Sequence, residues 1–144
     1  MKYLALDYGE KRTGIAVSDA GGSMAFARTT LPSAPGHIFW RDLLALIVEE
    51  NPDALILGLP LNLDGEETKS SARARALAAE LHIRAQLPVF LVNEALTSFA
   101  AEEDLKAAGL PGKKRAALLD QQSAVHILQT FLNTPPHRQE KYEP

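Results

Sequence analysis

Three carboxylates in this chain stand where a carboxylate is costly. Asp7 closes the apolar run Leu4-Ala5-Leu6 and leads into Tyr8-Gly9-Glu10-Lys11-Arg12-Thr13-Gly14. Glu94 follows Val89-Phe90-Leu91-Val92 and Asn93, at a predicted strand end of the kind where α/β sheets gather ligands. Asp120 shares a helical stripe with Ala116, Ala124, Ile127, Leu128 and Phe131. An ionised carboxylate beside hydrocarbon is unfavourable unless a cation or hydrogen-bond donors offset it, so each acid needs a partner. With cysteine absent and no His pair in view, the donors are oxygens alone, which suits Mg²⁺ or Mn²⁺ rather than structural zinc. Two such ions bridged by carboxylates can activate water and stabilise the leaving oxygen of a phosphodiester, a hydrolysis that needs no nucleophilic side chain. Taken alone, the residues leave other readings open. Asp7 can cap a turn through its own backbone, and Asp120 can sit on a solvated helix edge.

The elements that must position these acids follow from periodicity. Apolar character returns in Ile15-Ala16-Val17, so residues 4 to 17 read as strand, glycine-bearing turn, strand, with Asp7 at the mouth of the hairpin. Met24 to Leu31 predicts a third strand, ended by Pro32-Ser33-Ala34-Pro35-Gly36. From His37 to Glu50, Phe39, Leu43 and Ile47 recur at helical spacing beside Trp40, Leu44 and Val48; Trp40 reads as packing between helix and sheet. Ala54-Leu55-Ile56-Leu57, closed by Gly58-Leu59-Pro60, suits a strand covered on both faces. A helix through Leu77 and Leu81 follows the turn at Asn62 to Glu67, and Pro88 opens the strand before Glu94. Thr97 or Ser98 is placed to cap a further helix, with Glu102 and Glu103 in its first turn and Gly109 at its end. A basic loop, Lys113-Lys114-Arg115, precedes a last helix from about Ala116 to Leu132. The order predicts an α/β fold with a mixed, five-stranded sheet flanked by helices. Residues 1–133 form one domain, and 134–144, polar and proline-bearing, read as a flexible tail.

A chain of 144 residues without cysteine is long enough to bury its own core and fits a reducing compartment. No apolar stretch approaches the ~20 residues of a membrane span, so the expected location is the cytoplasm. With 15 Lys plus Arg against 18 Asp plus Glu, the net charge of −3 excludes a domain that grips nucleic acid by bulk charge, and any such grip is local. Lys11 and Arg12 beside Asp7, Arg73 one helical turn from Lys69, and Lys113, Lys114 and Arg115 are the candidates, each weighed against an ordinary solvated role. His126 has no partner at metal-ligand spacing and reads as a surface or packing residue.

Residues 7–17 (Asp-Tyr-Gly-Glu-Lys-Arg-Thr-Gly-Ile-Ala-Val), 58–65 (Gly-Leu-Pro-Leu-Asn-Leu-Asp-Gly) and 120–128 (Asp-Gln-Gln-Ser-Ala-Val-His-Ile-Leu) resemble the YqgF/RuvX family, and the likeness spans residues 2 to 132. The resemblance implies a ribonuclease H-like fold and a metal-dependent nuclease using Mg²⁺ or Mn²⁺. By motif position it places the catalytic and metal-binding acids on Asp7, Glu94 and Asp120. The implied substrate is structured RNA or branched DNA, through 5′-end maturation of the small-subunit ribosomal RNA precursor or resolution of Holliday junctions. The first can be done by a monomer, whereas symmetric resolution asks for a homodimer. One departure stands out: the family commonly has Asp-Glu-Arg before Leu-Thr-Ser, and this chain has Asn93-Glu94-Ala95. Ala95 cannot supply an arginine fork to phosphate, which keeps a non-catalytic nucleic-acid or ribosome-associated module as an alternative. A nucleotide-phosphate site of the actin and sugar-kinase type is the third reading, disfavoured because that fold encloses ATP between two domains.

Overall fold

The structure is a computed structural model that describes residues 1–62, 64–94 and 112–144, the last without the side chains of 112–115 and 117. β1 (Tyr3–Tyr8), β2 (Arg12–Ser18) and β3 (Ala25–Pro32) form an antiparallel meander. Then come α1 (Gly36–Glu50), β4 (Ala54–Leu59), α2 (Lys69–Ala85), β5 (Val89–Asn93), α3 (Gly112–Leu132), a 3₁₀ turn at Pro136–Arg138 and β6 (Glu140–Lys141). The strands make one six-stranded sheet in the order β3-β2-β1-β4-β5-β6, with β1, β4 and β5 mutually parallel. Parallel strands end at one edge of a sheet, so the chain segments carrying Asp7 and Glu94 are delivered to the same side.

Alternation decides which face each residue takes. Leu4, Leu6, Leu55 and Leu57 pack with α1 and α2 on one face, while Ala5, Ile56 and Val92 pack with Ala124, Ile127, Leu128 and Phe131 of α3 on the other. All six residues of β4 are buried, as expected of a central strand with helices on both sides. Trp40 is part of the α1 face, 5.4 Å from Phe39 and with the Arg84 guanidinium 4.5 Å above its ring, in the packing role expected of it. Local signals set the helix ends. Thr68 caps α2, accepting from Ser71 N at 3.0 Å while Ser71 Oγ accepts from Thr68 N at 2.7 Å. Asn51 closes α1 in the left-handed region at φ 50°, its N–H bonded to Ile47 O.

Three expectations are corrected. The sheet has six strands rather than five, because a short C-terminal strand joins it: Glu140 and Lys141 pair with β5, and Tyr142 N donates to Val89 O at 2.7 Å. α3 starts at Gly112, so Lys113, Lys114 and Arg115 lie in its first turn rather than in a loop. The run Lys-Lys-Arg-Ala-Ala-Leu-Leu is made of strong helix formers and extends the helix backwards. The hairpin turn is only Gly9 to Lys11, closed by Gly9 N donating to Arg12 O at 2.9 Å, and Asp7 lies inside β1, paired with Gly14 of β2. The helix expected after Thr97 or Ser98, with Glu102, Glu103 and Gly109, and the departure at Ala95 all lie outside the described residues.

Candidate active site

Asp7 of β1, Gly58 of β4 and Glu94, the residue after β5, follow one another across adjacent parallel strands, on the α3 face. The register pairs Leu6 with Leu57 and Gly58 with Val92, and Glu94 N donates to Leu59 O at 3.3 Å. β4 therefore separates the two acids, and Gly58 is what lets them meet. A Cβ at Gly58 would lie 2.7 Å from Glu94 Oε2 and 2.5 Å from Ile127 Cδ1. The missing side chain is the slot through which Glu94 reaches Asp7 across β4.

Glu94 is only 8 % exposed and is hydrogen-bonded to Asp7. Burial, then the Asp7 charge and that hydrogen bond, push the Glu94 carboxyl up to about 9. Burial also raises Asp7, to about 6; hydrogen bonds from Glu94 and from Ser123 restrain the rise, and the charge of Asp120 adds to it. At neutral pH the two carboxyls thus hold a proton between them. The hydrogen bonds of Asp7 go to these side chains, so its setting is that of a half-buried acid in a cluster rather than of a turn cap.

Asp120 approaches from α3, and its place is set by glycine as well. A Cβ on Gly14 would run into the backbone of Asp120 and Gln121, so the helix rests directly on β2. Gln121 Nε2 donates to Thr30 Oγ1 at 3.1 Å and ties the same turn to β3. From there the Asp120 carboxylate acts on the charge of Asp7 and accepts from Arg12 Nε at 2.7 Å. Among the described residues no group of three His, Cys, Asp or Glu is arranged to hold one metal ion. The buried Glu94 and half-buried Asp7, with a third carboxylate in electrostatic range, still match a hard divalent cation in kind, once the shared proton leaves.

The basic candidates separate. Arg12 joins the acids and Lys11 is exposed in the adjoining turn. Arg73 does not join them. It lies on the opposite face of the sheet, lining an open cleft of about 270 Å³ with Tyr8, Trp40 and Glu80. The side chains of Lys113, Lys114 and Arg115 lie outside the described residues. Asn62 and Asp64 order a turn, Gly65 N donating to Asn62 O at 2.9 Å and Glu66 N to Asp64 Oδ1 at 3.3 Å. Sequence reasoning missed Ser123, which is 2 % exposed one turn after Asp120, and the slot at Gly58. A serine on the apolar stripe and a glycine closing a buried strand were the available signals.

Residues 1–134 match the family described as "RuvX: Holliday junction resolvase". The chain belongs to the RuvX family. It is 49 % identical over 138 residues, 96 % of both chains, to a protein of Oleidesulfovibrio alaskensis named "Putative pre-16S rRNA nuclease". A protein of the same name from Streptomyces avermitilis is 37 % identical, over 91 % of this chain and 85 % of its own length. The RuvX chain also superposes on Thermus thermophilus RuvC with a TM-score of 0.60 at 15 % identity, covering 99 % of this chain and 100 % of that one, which shows the ribonuclease H-like fold. No helix among the described residues is long and apolar enough to cross a membrane.

The raised pKa values of Asp7 and Glu94 make a prediction for the metal-free RuvX protein. A carboxyl whose value rises from 4.5 unfolded to about 9 folded binds its proton more tightly in the folded state, so its stabilising share is full below 4.5 and is lost as pH climbs through about 9. In EDTA, Tm should therefore fall across this window. Glu94→Gln should flatten the fall, and parallel melting curves for the two proteins would show that the pair is not the cause.

Proposed function

We propose that this RuvX nuclease hydrolyses phosphodiester bonds of the small-subunit ribosomal RNA precursor, in maturation of its 5′ end, with Asp7, Glu94 and Asp120 as the catalytic carboxylates that hold Mg²⁺ or Mn²⁺. The observation that carries the reading is the proton-sharing contact of Asp7 with the buried Glu94, found in a chain 49 % identical to a protein named for that substrate. When bound, a divalent ion supplies Lewis-acid stabilisation of the phosphate and lowers the pKa of water. The protein's own part is to hold three acids at one sheet edge. Asp7 and Glu94 would hold the cation only after losing their shared proton, so occupancy should rise with pH. Ser123 orients the Asp7 carboxyl through its hydrogen bond. Lys11 and Arg12 on the rim meet the phosphates beside the scissile bond, while Arg73 and the Lys113, Lys114 and Arg115 turn would hold more distant stretches of the strand.

The Holliday junction is the second reading, favoured by the description of the family itself. Cleavage of a precursor 16S transcript and of a four-way DNA junction in parallel, each with Mg²⁺, Mn²⁺ and EDTA, decides between them. Faster metal-dependent cutting of the transcript at one 5′ position is expected. Symmetric nicks in the junction alone would replace the rRNA reading, and binding without cutting of either would favour a module that has lost turnover.

A further inference from the structure

The Arg12 to Asp120 contact joins residues 108 positions apart and sets the base of the hairpin against α3 at the rim of the acid cluster. Both backbones are fixed. Arg12 O accepts from Gly9 N, the neighbouring Lys11 O accepts from Ser33 N at 3.0 Å, and Asp120 is seated on Gly14 with Gln121 tied to Thr30. Only side-chain torsions are left to decide whether the Asp120 carboxylate serves Arg12 or turns towards Asp7. The two ends of the pair differ in setting: the Arg12 side chain is 46 % exposed and that of Asp120 is 19 % exposed. The arginine thus faces the solvent from which a phosphodiester would come. The contact runs through Nε, and pairs of this exposure are weakly held. A phosphate offers the guanidinium a bidentate partner.

We infer that Arg12 is a positioning residue that couples nucleic-acid binding to metal binding: it holds Asp120 in the free protein, and a phosphodiester draws it off, freeing Asp120 for the cation held by Asp7 and Glu94. The inference rests on the metal-site reading proposed above and deepens it. Its consequence is that the third carboxylate joins the site when a strand is in place. Coupling of this kind is reciprocal, so a strand tightens the cation by the factor with which the cation tightens the strand.

Mn²⁺ affinity, read by the loss of the free-ion paramagnetic resonance signal, tests this with no turnover involved. A phosphorothioate RNA oligonucleotide that resists cleavage serves as the strand. In the wild type the oligonucleotide should tighten Mn²⁺ about tenfold. Arg12→Gln should bind Mn²⁺ tighter than the wild type when no RNA is present, yet bind the oligonucleotide more weakly, and RNA should then tighten Mn²⁺ much less. Lys11→Gln removes a neighbouring charge without touching Asp120, and it should change Mn²⁺ affinity far less than Arg12→Gln does. In an Asp120→Asn background the gain from Arg12→Gln should disappear, because the two act through one contact. Unchanged or weaker Mn²⁺ binding by Arg12→Gln overturns the inference, as does a gain that survives in Asp120→Asn or is matched by Lys11→Gln. If Asp7→Asn binds Mn²⁺ as the wild type does, the metal-site reading itself fails, and the inference falls with it.

Discussion

Asp7→Asn should lose cleavage by ~10³-fold or more while the metal-free protein melts higher than the wild type. The loss follows from the proposed role of Asp7 as a cation ligand, since cation stabilisation of the transition state is worth several kcal/mol and each ~1.4 kcal/mol is tenfold in rate. The gain in stability has a separate origin. At pH 8, between the values of about 6 for Asp7 and about 9 for Glu94, the pair carries net negative charge beside Asp120. An amide at position 7 removes the repulsion and can still donate to Glu94 and accept from Ser123. Each kcal/mol of relief should appear as roughly 4 °C in Tm for a chain of this size. Calorimetry in EDTA and a cleavage assay on one preparation check both halves. A variant that loses activity and melts lower would mean that Asp7 supports the fold and that the lost cutting is a folding defect.

The acids of this site are legible in the chain because each breaks a local pattern. Asp7 ends an apolar run, Asp120 interrupts an apolar stripe, and Glu94 terminates a buried strand. What brings them together is not legible. Arg12 and Asp120 share no spacing that a linear pattern could reveal. Gly58 and Gly14 look like ordinary glycines of a strand end and a turn, yet each is required by a neighbour distant in sequence: Glu94 and Ile127 over Gly58, and the α3 backbone over Gly14. Gly14 shows how the error arises. A glycine eight residues after an apolar run invites a turn, but hydrogen bonding continues through Thr13 and Gly14, and the turn shrinks to three residues.

The sheet edge beyond β5 was hidden for a different reason. Glu140 and Lys141 carry no apolar alternation, and their strand exists because Tyr142 packs on the core beside His82, with ring centroids 5.8 Å apart. Long elements with a buried face, such as α1 and β4, announce themselves in the chain. A two-residue strand held by one aromatic anchor does not.

Gly14→Ala should be the most damaging single methyl in this protein. Its Cβ would overlap the carbonyl of Asp120, and the neighbouring atoms are backbone, which cannot turn aside as a side chain can. Either α3 lifts from β2 or the hairpin distorts. Overpacking a core costs ~1–3 kcal/mol where side chains can adjust, and a backbone clash belongs at the upper end or beyond it. A Tm lower by about 10 °C is expected at roughly 4 °C per kcal/mol, together with loss of cleavage as Asp120 moves from Asp7. Gly58→Ala is the informative comparison. There the atoms met are Ile127 Cδ1 and Glu94 Oε2, ends of side chains that can rotate. Its Tm should fall far less, while cleavage falls just as steeply, because the methyl fills the slot through which Glu94 reaches Asp7. Melting curves and initial rates on the two variants separate the cases. Equal melting losses would show that Gly58 serves packing rather than the reach of Glu94, and an unchanged Tm for Gly14→Ala would mean that α3 does not rest on β2 through this glycine.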